Sequence, residues 1–426
     1  MLIESNIAEL DVNSLKETIE WNNPLTKELG MHKIHLYPAK FPSFLISKSL
    51  EYADKNNIKI NTIGDIFCGC GTTALEAKRN QKNFWGCDIN PVATLIAKVK
   101  SEKYDCSELE THYNKIIERY EKLNYKTPKK ILEKERIVYW FKLSQIDNLY
   151  KLLRIIKKEV PNGIYQDFFL VAFSNILKGA SRWLTKSIKP TIDKNKEIRD
   201  VKKLFDKQFA LMLKAVKETN GIVKSTTTTT TTIVNKNFLE VPVDKPFLDM
   251  LMTSPPYVTS YEYADLHQLS TLWLGFANDF RSLRKGTIGS VYHKSIKDED
   301  IQKLNEVGLN IYEQLVKAKK SKAKSAAKYF IDMKNTVDKT YLMIKPGGLA
   351  IFVIGNTKHK GVYIDNAKFM IKCMTDKGFT NIDVYKRRIS SKMLASYRDK
   401  TGKFSSDKRH REVYSYEFIV IGKKIS

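Results

Sequence analysis

Residues 253–257 have the composition of a rigid ligand-binding turn. They read Thr-Ser-Pro-Pro-Tyr and directly follow the apolar run 247–252. Prolines fix φ and lack a backbone donor, and the residue before a proline is held extended. The turn should therefore be stiff, with carbonyl oxygens open to hydrogen bonds and the Tyr257 ring beside them. Such a turn can hold a planar exocyclic amine while the ring stacks on its base; an ordinary strand-ending turn with a packed tyrosine is the alternative.

A second candidate turn is rich in glycine. Residues 67–74 read Phe-Cys-Gly-Cys-Gly-Thr-Thr-Ala, and glycines let a backbone adopt positive φ and approach a ligand closely. Asp88 follows Gly71 by 17 residues, at the end of the next predicted strand, where an acid can bind two ribose hydroxyls. Alone, this pattern fits a nicotinamide dinucleotide equally well. Combined with the 253–257 turn it favours methyl transfer from S-adenosylmethionine, because a dehydrogenase needs no amine clamp after its fourth strand.

The apolar pattern predicts the α/β elements that position these turns. The predicted strands are residues 60–67, 83–87, 233–237, 247–253, 349–354, 382–385 and 416–421. Helices are expected at 72–80, after the Asn90-Pro91 start signal, and from about 363 to a C-cap at Gly378. We therefore expect a doubly wound sheet that ends in an antiparallel hairpin.

The same pattern suggests how the chain is divided. Residues 105–224 carry apolar side chains at helical spacing, and the threonine run 226–232 favours a flexible connector over a β segment. The predicted core comprises residues 1–104 and 233–426, including a helical segment at 261–340. Residues 105–232 are predicted to be a helical insert and a possible DNA-recognition region.

The charge balance favours a polyanionic partner. The 426 residues include 73 Lys plus Arg and 47 Asp plus Glu, a formal net charge of +26. Basic side chains are most concentrated in residues 386–411, which hold ten basic and two acidic side chains with Tyr397 and Phe404 interleaved. This segment is predicted to follow a nucleic-acid backbone. The residues that we expect to contact nucleic acid are Lys386, Arg387, Arg388, Lys392, Arg398 and Lys403. The lysine-rich run 317–328 fits a solvated helix face and a phosphate contact equally.

Several other classes of protein are disfavoured. No apolar run is long enough to cross a bilayer and no secretory signal opens the chain, so a cytoplasmic, reducing location is the default expectation. The five cysteines form neither a disulfide framework nor a zinc pattern. His32 and His35 could suggest a metal, but packing or cofactor contact is favoured, and no metal site is predicted.

The chain resembles the amino-methylating DNA methyltransferases, which modify N4 of cytosine or N6 of adenine. Three segments carry the resemblance: the 67–71 glycine turn, the 254–257 Ser-Pro-Pro-Tyr turn, and residues 37–42. The last reads Tyr-Pro-Ala-Lys-Phe-Pro and is similar to the methionine-side cofactor motif of the family. Residues 261–270 and 273–275 are similar to the segment after the catalytic turn. About half of the chain is covered, and the helical insert matches much less.

The resemblance implies a Rossmann-like methyltransferase fold and a set of site residues. The catalytic residues would be Ser254, Pro255, Pro256 and Tyr257. S-adenosylmethionine would be held by Pro38, Ala39, Phe41, Asp65, Phe67, Gly69, Gly71, Thr72 and Asp88, with Asp65 a candidate for the cofactor ammonium. Relatives often carry an acid before the catalytic strand that meets the adenine amine. Residues 235–239 supply no Asp here, which leaves adenine recognition open.

The implied reaction is methylation of an extruded base. Ser254 Oγ and the Pro255 carbonyl would accept hydrogen bonds from the two N–H groups of the amine, and Tyr257 would stack on the base. Alignment and electrostatic stabilisation would then supply the catalysis, after the base is flipped out of duplex DNA. A serine before the two prolines favours cytosine N4 over adenine N6. An RNA base-amine methyltransferase and a catalytically inactive DNA-binding subunit stay open as alternatives, as does a restriction or defence-system partner.

Overall fold

The structure is a computed structural model. It describes residues 10–22, 28–38, 40, 42–222, 229–258, 262–290, 296–389, 407, 409 and 415–425. For residues 320–321, 397–398, 404–405 and 411–412 it describes the backbone alone.

A seven-stranded sheet forms the centre of the molecule, in the order β3-β2-β1-β4-β5-β12-β8. Its strands are β1 (Thr62–Asp65), β2 (Asn83–Asp88), β3 (Thr231–Asn235), β4 (Leu248–Thr253), β5 (Ile344–Ile354), β8 (Phe379–Arg388) and β12 (Tyr416–Lys424). Neighbouring strands are parallel except at β12, which runs antiparallel to both β5 and β8. Smaller sheets are formed by β6 (Thr357–His359) with β7 (Val362–Ile364), and by β9 (Tyr397–Arg398), β10 (Phe404–Ser405) and β11 (Arg411–Glu412).

Both faces of the central sheet are buried, because its strands place apolar side chains on both faces. On β4, Met250 and Met252 pack into one cluster, whereas Leu248 and Leu251 pack into another on the opposite face. Helices cover the two faces, as expected for a mostly parallel sheet. The fold is thus a Rossmann-like methyltransferase α/β fold with a C-terminal antiparallel strand pair, as predicted.

Fourteen α-helices occur in the part of the chain that the structure describes. They are α1 (Phe44–Lys55), α2 (Thr72–Arg79), α3 (Pro91–Ser101), α4 (Cys106–Lys122), α5 (Lys129–Leu132), α6 (Glu135–Trp140), α7 (Leu143–Glu159), α8 (Ile164–Ile176), α9 (Val201–Ile222), α10 (Tyr263–Leu266), α11 (Gln268–Leu274), α12 (Asp298–Ile301), α13 (Glu306–Met343) and α14 (Asn366–Lys377). Helix α13 is interrupted at Lys319, whose φ and ψ are not helical. None of the described helices is long and apolar enough to span a membrane.

The helices between β2 and β3 share a core with the sheet-covering helices. Buried side chains of α4, α6, α7, α8 and α9 form one continuous apolar cluster with those of α3 and α11. Trp273 of α11, for example, packs edge-on against two rings. Its centroid lies 5.9 Å from that of Phe173 in α8 and 5.7 Å from that of Phe141. The predicted insert is therefore packed directly onto α11, the second helix after the Pro-Pro turn.

All seven predicted strands occur, but several of their boundaries differ from the sequence prediction by one to five residues. Strand β3 begins at Thr231, two residues earlier than expected, because Thr231 and Thr232 pair with Phe84 and Trp85 of β2. The prediction of a flexible connector is therefore wrong for these two threonines, while residues 226–228 lie outside the described part. Strand β5 begins at Ile344 and includes the Pro-Gly-Gly segment before the predicted start.

The site lies where the strand order reverses. From β1 the chain moves outward to β2 and β3 on one side, and β4 and β5 lie on the other side. Ligands of open α/β sheets bind outside the carboxyl ends of the strands at such a switch point. The glycine turn leaves β1 and the Pro-Pro turn leaves β4, so both emerge at this point.

Candidate active site

A buried hydrogen-bond cluster joins the two turns. Asp65, the last residue of β1, accepts a hydrogen bond of 2.7 Å at Oδ1 from Thr253 Oγ1, at the end of β4. Its Oδ2 accepts one of 2.7 Å from Thr73 Oγ1 in α2, and the Phe67 N–H also donates to Oδ1. Burial raises the pKa of Asp65 to about 6 despite these donors. The two turns are thus fixed relative to each other by one carboxyl group.

The backbone of the glycine turn enters the left-handed region that favours glycine. Gly69 and Gly71 have φ of +47° and +78°. A Cβ on Gly71 would lie 2.6 Å from Cα and Cβ of Ala97 in α3, whereas one on Gly69 would lie 3.6 Å from the Tyr37 ring. Gly71 therefore allows α2 and α3 to pack closely, whereas Gly69 faces the Tyr37 ring at ordinary van der Waals distance.

Asp88 is bound to the same turn. Its Oδ2 accepts a hydrogen bond of 2.9 Å from the Gly69 N–H, and its Oδ1 accepts one of 2.8 Å from the Asn90 N–H. Burial raises the pKa of the Asp88 carboxyl to about 6, and these two backbone donors partly oppose the rise. The side chain is half-buried at the end of β2, the position expected of a ribose-binding acid.

Tyr37 fills the space between the glycine turn and the segment after the Pro-Pro turn. Its ring stacks on His267 at 4.9 Å and on Tyr263 at 5.9 Å, centroid to centroid. His267 is 5% exposed, and among the described residues its Nε2 has no hydrogen-bond partner. Burial lowers the pKa of His267 to about 3, so the imidazole is neutral near pH 7. Pro38 follows Tyr37 and is half-buried; Ala39 and Phe41 lie outside the described residues.

His32 and His35 anchor the segment that carries Tyr37. His32 Nε2 lies 2.7 Å from Glu76 Oε1 of α2, and His35 Nε2 lies 2.9 Å from Ser174 Oγ of α8. Burial lowers the pKa of His35 to about 4, so this ring is also neutral near pH 7. Their contacts are those of packing residues. No cluster of three or more metal-binding side chains occurs among the residues described.

The Pro-Pro turn presents a partly open edge. Pro255 is buried, while Ser254, Pro256 and Tyr257 are half-buried. The Tyr257 ring packs on Gly355, just beyond β5, where a Cβ would come within 3.2 Å of the ring and its hydroxyl. Burial, with a contribution from the nearby Glu417 carboxylate, raises the pKa of the Tyr257 hydroxyl above its ordinary value. The hydroxyl therefore stays protonated at neutral pH.

An open cavity lies beside Asp88. It has a volume of about 450 Å³, and its lining includes Ile89, Asn237 and Gly286. The Asn237 amide donates to the Gly286 carbonyl at 3.3 Å and accepts from the Leu239 N–H at 3.1 Å. Lys328 of the lysine-rich run also lines this cavity and forms an ion pair with Asp332. The cavity lies just beyond the end of β2, since Ile89 directly follows its last residue.

The predicted basic residues divide into different environments. Arg388 is exposed, and Lys386 is half-buried, with its Nζ donating to the Asn13 carbonyl at 2.6 Å. Arg387 corrects the expectation of a surface phosphate contact: it is 2% exposed and forms a buried ion pair with Glu417. The side chains of Lys392, Arg398 and Lys403 lie outside the described residues.

Three contributors to this site were not predicted as such. Thr73 and Thr253 hold the Asp65 carboxyl, and Glu417 holds Arg387 beside Tyr257. A sequence signal existed for Thr253, because a polar residue at the end of a buried strand next to Asp65's strand can face that acid. Glu417 is separated from Arg387 by the long basic segment, and no local pattern links the two.

Comparisons with known proteins find similarity to DNA methyltransferases. A family model described as DNA methylase, of the N6 and N4 type, matches residues 9–99. The type II methyltransferase M.MvaI of Kocuria varians is 22% identical over 96% of this chain and 94% of its own length. The type II methyltransferase M.BsoBI of Geobacillus stearothermophilus is 24% identical over 91% of this chain and 87% of its own. The type II methyltransferase M.MjaII of Methanocaldococcus jannaschii is 27% identical over 34% of this chain and 27% of its own.

The fold, with its mostly parallel sheet and terminal antiparallel pair, is that of a Rossmann-like methyltransferase. The family match over residues 9–99 and these relatives support an amino-methylating DNA methyltransferase family for the chain.

Proposed function

We propose that this protein transfers a methyl group from S-adenosylmethionine to N4 of cytosine in duplex DNA. The observation that carries the proposal is the Asp65–Thr253 hydrogen bond, because it fixes a cofactor-type turn and an amine-binding turn at one edge of the sheet. Bound S-adenosylmethionine would supply an electrophilic methyl group on its sulfonium. The chain itself has only to bind, align and exclude water.

The residues around the glycine turn fit this cofactor. The positive φ of Gly69 and Gly71 leaves the turn open to a close ligand. Asp88 would accept the ribose hydroxyls, and the cavity lined by Ile89 and Asn237 would take the adenine. Pro38, Ala39, Phe41, Asp65, Phe67 and Thr72 complete the proposed binding set. Three donors already engage Asp65, which makes it a structural carboxyl as well as a candidate for the ammonium.

The Pro-Pro turn would align the target amine. The nitrogen lone pair of a base amine is delocalised into the ring, so the amine is a weak nucleophile. Ser254 Oγ and the Pro255 carbonyl would accept hydrogen bonds from its two N–H groups and so direct the lone pair at the methyl group. Ser254 is too weak a base to take the proton first. The N–CH3 bond would form as the S–CH3 bond breaks, S-adenosylhomocysteine would be the leaving group, and the proton would pass to solvent with or after transfer. Pro256 keeps the turn rigid, and the Tyr257 ring would stack on the extruded base.

Cytosine N4 is proposed over adenine N6 because a serine stands before the two prolines. Duplex DNA is proposed as the partner on the charge of +26 and the basic segment 386–411. The helical insert is proposed to contribute to DNA recognition, since it is packed on α11 directly after the active-site segment. The relatives are type II methyltransferases, and pairing with a restriction enzyme is the corresponding proposal for this chain.

The test is methyl transfer by the purified protein. Tritium-labelled S-adenosylmethionine is supplied with unmodified duplex DNA, with RNA of matched sequence, or with neither. The proposal expects label in the duplex DNA and at most background in RNA. Strong labelling of RNA alone would indicate an RNA base-amine methyltransferase. Cofactor binding without transfer to any nucleic acid would indicate an inactive DNA-binding subunit.

A further inference from the structure

A buried ion pair lies beside the proposed base pocket. Arg387, near the end of β8, is paired with Glu417, the second residue of β12, and the two are cross-strand neighbours. Their side chains are 2% and 11% exposed. The Arg387 guanidinium also lies over the Phe44 ring, with its Cζ 5.1 Å from the ring centroid. This pair therefore connects the terminal hairpin to the first turn of α1.

The pair reaches Tyr257 across one strand. Phe418 of β12 is in register with Ile354 of β5, so Glu417 lies opposite Gly355, the residue on which the Tyr257 ring packs. Both members act electrostatically on the Tyr257 hydroxyl: Glu417 raises its pKa and Arg387 lowers it. Tyr257, Gly355, Glu417 and Arg387 thus form a continuous row along the edge of the sheet that carries the site.

Stability alone gives a weak reason for such a pair. Removing two charges from water is costly, and well-packed apolar replacements of buried ion pairs are often neutral or stabilising. Within the described part of the chain, Arg387 Nε has no acceptor, which adds an unsatisfied buried donor. A pair that is poorly optimised for stability and adjoins the stacking tyrosine fits a role in positioning.

The pair also lies next to the point where the two ends of the basic segment meet. Just beyond Arg387, the Ile389 N–H donates a hydrogen bond of 2.9 Å to the Ser415 carbonyl, and the chain between them holds most of the basic residues of 386–411. DNA contacts made by that segment would therefore act on the two strand ends that carry the pair.

We propose that Arg387 and Glu417 are positioning residues that hold the Tyr257 ring in place for stacking on the extruded base. This inference rests on the proposed function, since it assigns the pair a role in DNA methylation. Neither side chain touches the reacting atoms; both act through Gly355 and Tyr257. A misplacement of about 1 Å at such a site lowers turnover on the order of 100-fold.

The test is a double-mutant cycle with Tyr257. The double replacement Arg387→Met/Glu417→Leu removes the charges while keeping an apolar filling, and kcat is measured in the wild-type and Tyr257→Ala backgrounds. We expect a loss on the order of 100-fold in the wild-type background and less than about threefold in the Tyr257→Ala background, because residues that act through one another are not additive. Affinity for S-adenosylmethionine, measured by calorimetry, should stay within about threefold of wild type.

A matched control and a second variant keep the result decisive. Lys345→Met removes the cation of the Lys345–Asp249 ion pair between β5 and β4, and it should leave kcat unchanged. If the double replacement does not fold, as judged by its thermal midpoint, Glu417→Gln is measured in the same two backgrounds. Equal losses in both backgrounds, or a wild-type level of kcat in the pair variant, would overturn the inference. A wild-type protein that methylates no DNA would instead contradict the proposed function.

Discussion

Asp65 and Thr253 are 188 positions apart in the chain and are joined by a hydrogen bond of 2.7 Å between Oδ1 and Oγ1. Each is the last residue of its strand, and the two strands are parallel neighbours. Asp65 is 4% exposed, so water cannot replace a lost donor easily. The relative placement of the glycine turn and the Pro-Pro turn therefore depends on a few buried polar atoms.

Replacing Thr253 by valine should separate stability from alignment. The valine keeps the shape of threonine but removes one donor to the buried Asp65 carboxyl, so the free energy of unfolding should fall by about 1–3 kcal/mol. Turnover should fall more than the affinity for S-adenosylmethionine. The lost hydrogen bond holds the Pro-Pro turn, whereas the glycine turn keeps its own hydrogen bonds to Asp65. Urea unfolding, kcat and calorimetry measure the three quantities. Thr253→Ser retains the hydroxyl and should stay near wild type; equal losses in both variants would argue against the hydrogen bond.

Tyr257→Ala should reduce turnover while leaving cofactor affinity nearly intact. Base–aromatic stacking contributes about 1–3 kcal/mol per base, so we expect a roughly 10- to 100-fold loss in kcat/KM for DNA. Tyr257→Phe keeps the ring and should lose much less. Steady-state kinetics with calorimetric cofactor titration distinguish the two parameters. Loss of cofactor binding in the alanine variant would show that the base pocket is misplaced.

The two glycines of the cofactor turn should respond differently to alanine. Gly71→Ala puts a Cβ 2.6 Å from Ala97 of α3 at a φ of +78°, so α2 and α3 must separate. We expect a loss of about 1–3 kcal/mol in the free energy of unfolding, the range for overpacking, together with weaker cofactor binding. Gly69→Ala meets only ordinary contacts with Tyr37, so its main penalty is its φ of +47°. A Gly71→Ala protein that is as stable as the Gly69→Ala protein would contradict the packing account.

Cofactor affinity should depend on pH through Asp88. Burial raises the pKa of its carboxyl from 3.8 to about 6. Below about pH 6 the carboxyl is protonated, and accepting two ribose hydroxyls requires loss of that proton. The Kd for S-adenosylhomocysteine should therefore rise as pH falls from 7 to 5, by up to about tenfold per pH unit below 6. Calorimetry over this range measures the slope, and Asp88→Asn should reduce it.

The same shift has a definite sign for stability. Because the folded pKa exceeds the value of 3.8, this carboxyl lowers the free energy of unfolding as pH rises from about 4 to about 6. Asp88→Asn should remove that contribution, as denaturant unfolding at several pH values would show. Asp65, whose pKa is also about 6, should contribute in the same direction in both proteins. A variant with an unchanged pH slope in both measurements would exclude Asp88 as the titrating group.

Sequence patterns identified the features that are local in the chain. Apolar segments predicted β4 and the terminal strands, and Gly69, Gly71 and Asp88 were placed by their spacing from the strand ends. Their carboxyl-end location then followed from the rule for parallel sheets. Gly378 caps α14 as expected, with a φ of +102°.

Contacts between distant segments were not accessible in this way. Arg387 lies in the most basic stretch of the chain, and composition alone predicts exposure for it. Its burial depends on Glu417 in the neighbouring antiparallel strand and on Phe44, which is more than 340 positions away. Likewise, nothing near Tyr37 in sequence indicates that its ring stacks on His267. Pairings of this kind are set by strand register and helix packing.

Nucleoside mass spectrometry of methylated DNA identifies the modified base and the atom that carries the methyl group. Unmodified duplex DNA is incubated with the purified protein and S-adenosylmethionine, digested to nucleosides and compared with a Ser254→Ala control. We expect N4-methylcytosine in the wild-type sample and a strongly reduced amount in the control. N6-methyladenine would contradict the choice of cytosine, and the absence of any methylated base would contradict the alignment of the two turns for methyl transfer.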